Sequence, residues 1–286
     1  MKRDRALLDE ILFPGGKTRA FTASYDDGTV HDRRLLEILN RHGIRGTFNL
    51  SAGFFGLHSI IPGARGPLDV SKLDTDEVPA IYAGHEIAGH GLYHASPVNI
   101  GLPAFMYETI EDKARLEQVT GHVVRGYAYP FGLYDRDTKR LLRMAGYHYA
   151  RAVETTGGFD LPADFMEWKG TCHHNDPRLM DLAREFCSEE GFAPRRKLFY
   201  LWGHSYEFAG DDNWDRIEEL CGYLQEHGSD IWFATNIEIC DYVNAFRSLE
   251  YGAEATMVYN PTALTLWLRR GQTVHTIAPL STVRLD

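Results

Sequence analysis

Apolar runs of strand length alternate with amphipathic helical patterns through most of this chain, and that alternation constrains the fold more than any other feature. Strands joined by helical crossovers pair in parallel, with the helices covering the sheet. Seven strand candidates read from the pattern are Arg19–Tyr25, Gly46–Leu50, His85–Ala88, Val123–Tyr129, Tyr147–Val153, Lys197–Trp202 and Asp230–Ala234. Leu35, Leu36, Ile38 and Leu39 give one helical face after the first of them, ending near His42-Gly43, where glycine suits a helix stop. Seven parallel strands with intervening helices predict a distorted seven-stranded (β/α) barrel, an α/β fold of the TIM-like kind.

After about Tyr251 the pattern changes to short alternating runs separated by the turn signals Asn260-Pro261 and Arg270-Gly271. The expected organisation is therefore a barrel over residues 1–250 and a small β appendage over 251–286, packed on the barrel. The 286 residues are enough for one large domain of this type. A net charge of −10 disfavours nucleic-acid or anionic-membrane partners and favours a neutral substrate. The four cysteines, Cys172, Cys187, Cys221 and Cys240, show no paired spacing, so neither a disulfide framework nor a cysteine metal site is expected. No apolar run reaches transmembrane length and the N-terminus lacks a secretory pattern, which makes a cytoplasmic location the expectation.

Two motifs carry chemistry. Ser24-Tyr25-Asp26-Asp27-Gly28 sets two adjacent carboxylates at the end of the first strand, ahead of a turn glycine. Ligands collect at the carboxyl ends of strands in such folds, although an Asp-Asp-Gly by itself is also an ordinary solvated turn. His90-Gly91-Leu92-Tyr93-His94 sets two imidazoles four residues apart, which a helical turn would bring onto one face. One Asp and two His suit a divalent cation such as Zn2+, with the second Asp left as a general base. Further candidates are the turn Tyr129-Pro130-Phe131-Gly132, where the Phe131 amide could face a developing oxyanion, and His204 at the end of the sixth strand. The long segment Ser51–Asp69, rich in Gly and Pro, reads as a loop of the kind that often borders a site.

The order of these motifs resembles the polysaccharide deacetylase family, the NodB-homology metal-dependent carbohydrate esterases. Thr-Phe-Asp-Asp-Gly of that family is similar to residues 24–28, His-(Ser/Thr)-x-x-His to His90–His94, Arg-x-Pro-Tyr-Gly to Ala128-Tyr129-Pro130-Phe131-Gly132, and Leu-x-Leu-x-His to Tyr200–His204. The resemblance implies Asp27, His90 and His94 as metal ligands, most often for Zn2+, Asp26 as the base that activates water, and His204 as the acid for the leaving amine. It implies an oxyanion held by the metal and the Phe131 amide. Three departures stand out: Ala128 replaces the family arginine, Gly91 replaces the Ser/Thr, and the Asp/Trp motif has no clear counterpart beyond Trp168. Arg151, at the end of the fifth strand, is expected to supply the missing guanidinium and orient the base. Tyr129, Trp168, His173, His174, Trp202 and Tyr206 are the expected substrate-binding residues. The expected activity is removal of acetyl groups from an N-acetylated amino-sugar or saccharide. The alternatives are hydrolysis of another C–N bond, in a cyclic ureide or formamide, and a catalytically silent carbohydrate-binding protein.

Overall fold

The computed structural model describes residues 9–188 and 197–285. The strands are β1 (Asp9–Leu12), β2 (Arg19–Asp26), β3 (Gly46–Leu50), β4 (Ile60–Gly63), β5 (Gly66–Asp69), β6 (Glu86–Gly89), β7 (Gly126–Ala128), β8 (Tyr149–Thr155), β9 (Trp168–Gly170), β10 (Cys172–His173), β11 (Lys197–His204), β12 (Ile231–Phe233), β13 (Glu250–Tyr251), β14 (Met257–Tyr259), β15 (Leu266–Arg270), β16 (Thr273–Ile277) and β17 (Thr282–Arg284). The helices are α1 (Asp32–Arg41), α2 (Val78–Ile81), α3 (Leu102–Thr120), α4 (Arg136–Met144), α5 (Leu179–Cys187), α6 (Ser205–Asp211), α7 (Trp214–Glu226) and α8 (Asn236–Arg247).

The barrel runs in the order β10-β11-β2-β3-β6-β7-β8-β9, all parallel, with β12 also on β2. Every residue of β2 and β3 is buried, because each strand is flanked on both sides and the helices cover the outside. The apolar residues expected on α1 all face this core. The distortion sits at β2: β12 pairs with Arg19–Phe21 and β3 with Ala23–Asp26, so two short strands lie along one edge. Asn236 seals that seam, accepting from Thr22 Oγ1 (2.8 Å) through its side chain and donating its amide to Thr47 Oγ1 (2.9 Å).

The expected barrel is present, but with eight strands rather than seven. The additional one is Trp168–His173, which is not among the seven read from the pattern. β9 pairs with β8 and β10 with β11, so this short segment closes the ring. Its six residues mix Lys, Thr and His with Trp, Gly and Cys, too short and polar a run to read as a strand. Gly170 is required there, since a Cβ would lie 2.8 Å from Trp202 Cδ1.

The C-terminal residues form two small antiparallel sheets, β1-β15-β16 and β13-β14-β17. The participation of β1 was not legible in the sequence, because Asp9-Glu10-Ile11-Leu12 is half charged; Arg270 holds it with a two-pronged contact to Asp9 (2.6 and 2.5 Å). Ile11, Leu266, Leu268 and Ile277 pack with Tyr242 and Val243 of α8 in a second apolar cluster. The four cysteines are unpaired, and no helix among the described residues is long and apolar enough to cross a membrane.

Candidate active site

Asp26 ends β2 inside the barrel and is almost fully buried. The Asn49 side chain donates to its Oδ1 at 2.8 Å, and an Arg151 Nη2–H donates to its Oδ2. Burial alone would push this carboxyl up. The Arg151 guanidinium, His90, His204 and the Asn49 amide outweigh burial and hold it below the usual carboxylate range. Arg151 comes from β8, directly opposite Ala128 of β7 in register. The guanidinium that the third motif lacks thus reaches Asp26 from the adjacent strand. Its face lies 4.6 Å from the Trp202 ring centroid, and it is fully buried.

Asp27 takes a left-handed conformation (φ 83°), its amide donating to the Asn49 carbonyl at 2.9 Å. Asp tolerates that region at modest cost. Glycine suits the following residue, Gly28, which is left-handed (φ 61°) and where a Cβ would also crowd Leu50 Cδ2 at 2.8 Å. The turn points Asp27 away from Asp26 and toward the second motif. Asp27, His90 and His94 bring their ligand atoms within 4.8 Å of one another.

His90 follows β6 and is buried, with Nδ1 2.8 Å from the Ala128 carbonyl. A carbonyl can only accept, so Nδ1 carries the proton and Nε2 keeps a free lone pair. His94 is not placed by a helical turn. Gly91 (φ 77°) and His94 (φ 53°) are both left-handed, and this tight turn sets the two rings edge to face at 4.6 Å. Burial lowers both imidazoles, His94 to about 4, which keeps them neutral and able to ligate. The hydroxyl absent at Gly91 has a substitute in α3. Asp112 accepts from the amides of Ala52 (2.8 Å) and His90 (3.1 Å), and Glu108 from that of Tyr93 (2.8 Å). Phe131, also left-handed (φ 59°), stands edge to face 4.6 Å from His94 with its side chain exposed.

His204 ends β11, opposite Asp26 in register, with Nε2 3.9 Å from Asp26 Oδ2 and Nδ1 3.3 Å from Glu207 Oε1. Burial would lower this imidazole; Glu207, Asp26 and Asp27 reverse that and raise it above its ordinary value. Sequence reasoning missed Glu207, a carboxylate three residues on, in the first turn of α6, and so on the same side as His204. Burial opposes its charge, but His173, His174 and His204 hold its carboxyl far below the usual range.

His173, His174 and Glu207 are also close enough to hold an ion. The tautomer argues against it. His173 Nδ1 accepts the Asn175 amide at 3.1 Å, so its proton sits on Nε2, which lies 3.1 Å from Glu207 Oε2 and has no lone pair for a cation. This cluster clamps a carboxylate, whereas the first cluster frees lone pairs.

Several expected substrate residues are placed elsewhere. Trp168 is buried, edge to face with Tyr149, Phe165 and Tyr200. Tyr129 is buried with its hydroxyl donating to the Met166 carbonyl at 3.1 Å. His174 is buried between Tyr25 and Phe208. None of the three offers a face to a sugar; strand-end aromatics here fill the core. His173, Trp202 and Tyr206 remain half-buried near His204, with ring centroids 6.3, 6.1 and 5.3 Å from it. Asn49 and Lys72 were also missed. Asn49 alternates with Phe48 and Leu50 on β3, a polar position inside an apolar strand. Lys72 Nζ lies 3.5 Å from Asp27 Oδ1.

Residues 15–150 match the family model described as polysaccharide deacetylase. Among solved structures, a Mycobacterium smegmatis protein named as a polysaccharide deacetylase is 19% identical, covers 83% of this chain and 94% of its own, and gives a TM-score of 0.58. A Pseudomonas aeruginosa protein similarly named is 17% identical over 80% and 92%, with a TM-score of 0.58. Puue allantoinase is 15% identical over 80% and 91%, with a TM-score of 0.57. At these identities the likeness establishes a shared fold. No curated protein matches the sequence.

Proposed function

We propose that this protein, whose residues 15–150 match the polysaccharide deacetylase family model, is a metal-dependent hydrolase that removes acetyl groups from an N-acetylated amino-sugar or saccharide. The observation that supports it most is the pairing of Asp27, His90 and His94 with Asp26, a second carboxylate with its own counter-ion. The donor set, one carboxylate and two neutral imidazoles, fits a divalent cation such as Zn2+. Such an ion, when bound, lowers the pKa of water and polarises the acyl carbonyl.

The protein's own groups do the rest. Asp26, held ionised and oriented by Arg151 and Asn49, takes the proton from the attacking water. The Phe131 amide, on the turn whose ring packs edge to face on His94, donates to the carbonyl oxygen as negative charge develops there. His204, whose imidazole is raised above its ordinary value with Glu207 facing Nδ1, delivers a proton from Nε2 to the departing nitrogen. An amide needs this last step because an amine leaves poorly as an anion. Half-buried Trp202, Tyr206 and His173 border the substrate. The division into a barrel (1–250) and a β segment (251–286) belongs to the same reading, amended by the pairing of β1 with β15.

The test is a panel of purified variants. The wild type should carry near-stoichiometric zinc, lost in Asp27→Ala, and Asp26→Asn should keep the metal and lose turnover. His204→Ala should slow an N-acetyl substrate far more than an activated acetate ester, whose leaving group needs no proton. Equal slowing of both substrates would remove His204 from the acid role, and turnover of a cyclic ureide in place of acetamides would overturn the substrate class.

A further inference from the structure

Lys72 stands beside the carboxylates without belonging to any motif. The segment following β3 runs out through the β4–β5 hairpin and returns along the Asp27 turn, where Leu73 donates to the Gly28 carbonyl (3.1 Å) and Val30 to the Ser71 carbonyl (2.9 Å). Thr29 and Lys72 form an isolated antiparallel bridge, and the Lys72 amide donates to the Leu57 carbonyl at 2.9 Å. The backbone at Lys72 is therefore pinned on both sides. Its ammonium lies 3.5 Å from Asp27 Oδ1, with 14% of its side chain exposed.

This placement changes the charge balance of the site. Asp26 already has Arg151 as its cation, and Asp27 has Lys72. Three carboxylates, counting Glu207, face two permanent cations and the His204 imidazole, so the net charge is −1 with His204 neutral and zero in its acid form. A divalent ion turns that into an excess of one or two positive charges. A half-buried positive charge without an anion is costly, and a neutral sugar does not relieve it. Arg151 is enclosed behind Asp26, so of the two cations only Lys72 has the exposure and the flexible stem to meet a ligand. The protein's net charge of −10 gives no general attraction for anions, so any preference must arise locally.

We propose that Lys72 is a specificity-determining residue, and that the substrate selected here is an N-acylated compound bearing a carboxylate or phosphate group close to the scissile amide. This rests on the hydrolase reading above and narrows the substrate from the neutral one that net charge alone favours.

The test uses the zinc-loaded protein and three matched probes: N-acetylglucosamine, its 6-phosphate and N-acetylmuramic acid. Calorimetric binding is measured in the Asp26→Asn background, so that turnover does not interfere, and kcat/KM in the intact enzyme. At least one anionic probe should bind about tenfold more tightly than the neutral sugar. Lys72→Met should abolish that difference and lower the anionic-to-neutral ratio of kcat/KM chiefly through KM, while Lys72→Arg should restore it. The phosphate and carboxylate arms identify which anion is read. Equal weakening of neutral and anionic probes in Lys72→Met would overturn the proposal and leave Lys72 as a support for Asp27. A wild type that prefers the neutral sugar would overturn it as well. Zinc content and thermal unfolding of each variant separate these outcomes from misfolding, and Lys72→Gln serves if the Met variant fails to fold. Selective anion binding with no acetate released from any probe would refute the hydrolase reading and not the role of Lys72.

Discussion

Replacing Arg151 with Met removes the cation facing Asp26 and keeps an unbranched chain in the core. The guanidinium is fully buried and the Asp26 side chain is 3% exposed, so water can compensate neither charge. Breaking such a pair from one side costs about 3–5 kcal/mol, because the surviving charge stays buried and alone. Asn49 still donates to Asp26 at 2.8 Å, and the nearest nitrogens of His90 and His204 remain 3.8 and 3.9 Å away, which places the loss toward the lower end, about 3–4 kcal/mol. At about 2–4 °C per kcal/mol for a chain of this size, Tm should fall by about 6–16 °C.

The pH dependence has a definite sign. In the intact protein the Asp26 carboxyl lies below the usual range, so it contributes stability above its unfolded pKa that is lost as pH falls. Without Arg151, burial dominates and the folded pKa rises above the unfolded one. The protonated form is then favoured in the folded state, and stability is lost as pH rises. The defect in Arg151→Met should therefore be smaller near about pH 4 than at about pH 7, growing as pH rises through that window. Urea unfolding of the wild type, Arg151→Met, Asp26→Asn and the double variant at both pH values measures this. The double variant, lacking both charges, should recover most of the loss. A cost under about 1 kcal/mol at neutral pH, or a double variant as unstable as the sum of the singles, would refute the buried-pair argument.

Glu207→Gln should remove the largest influence that raises the His204 imidazole, so the alkaline limb of kcat/KM on an acetamide should move to lower pH; an unmoved limb would detach Glu207 from His204. Gly91→Ser, which restores the residue type of the family motif, should destabilise the protein by about 1–2 kcal/mol in thermal unfolding, because Gly91 is left-handed (φ 77°) and a Cβ there meets the Tyr127 hydroxyl at 3.2 Å. A neutral or stabilising outcome would mean that the turn can reshape. Glu108→Ala should loosen the same turn and weaken zinc binding measured by competition with a chelator, by about tenfold, since Glu108 holds the Tyr93 amide at 2.8 Å.

Local order in the chain was sufficient for most of the strands, for α1, and for the carboxylate and imidazole motifs at strand ends. Period and turn chemistry are properties of neighbouring residues, and parallel strands with helical crossovers admit few arrangements. Tertiary structure decided what depends on residues far apart in the chain. The closing strand Trp168–His173 exists because β8 and β11 flank it, not because its residues favour extension. Arg151, already expected from its strand-end position as the partner of Asp26, reaches it across 125 positions of sequence through the β7–β8 register. Trp168, Tyr129 and His174 carry ring types suited to sugars but lie in the core, because packing around a closed barrel consumes large side chains at strand ends. Lys72 reached Asp27 only when a long connection folded back on the first turn. Sequence named the chemical groups; which charges face one another followed from the closure of the barrel, since burial and distance, which set electrostatic strength, are defined only in the folded chain.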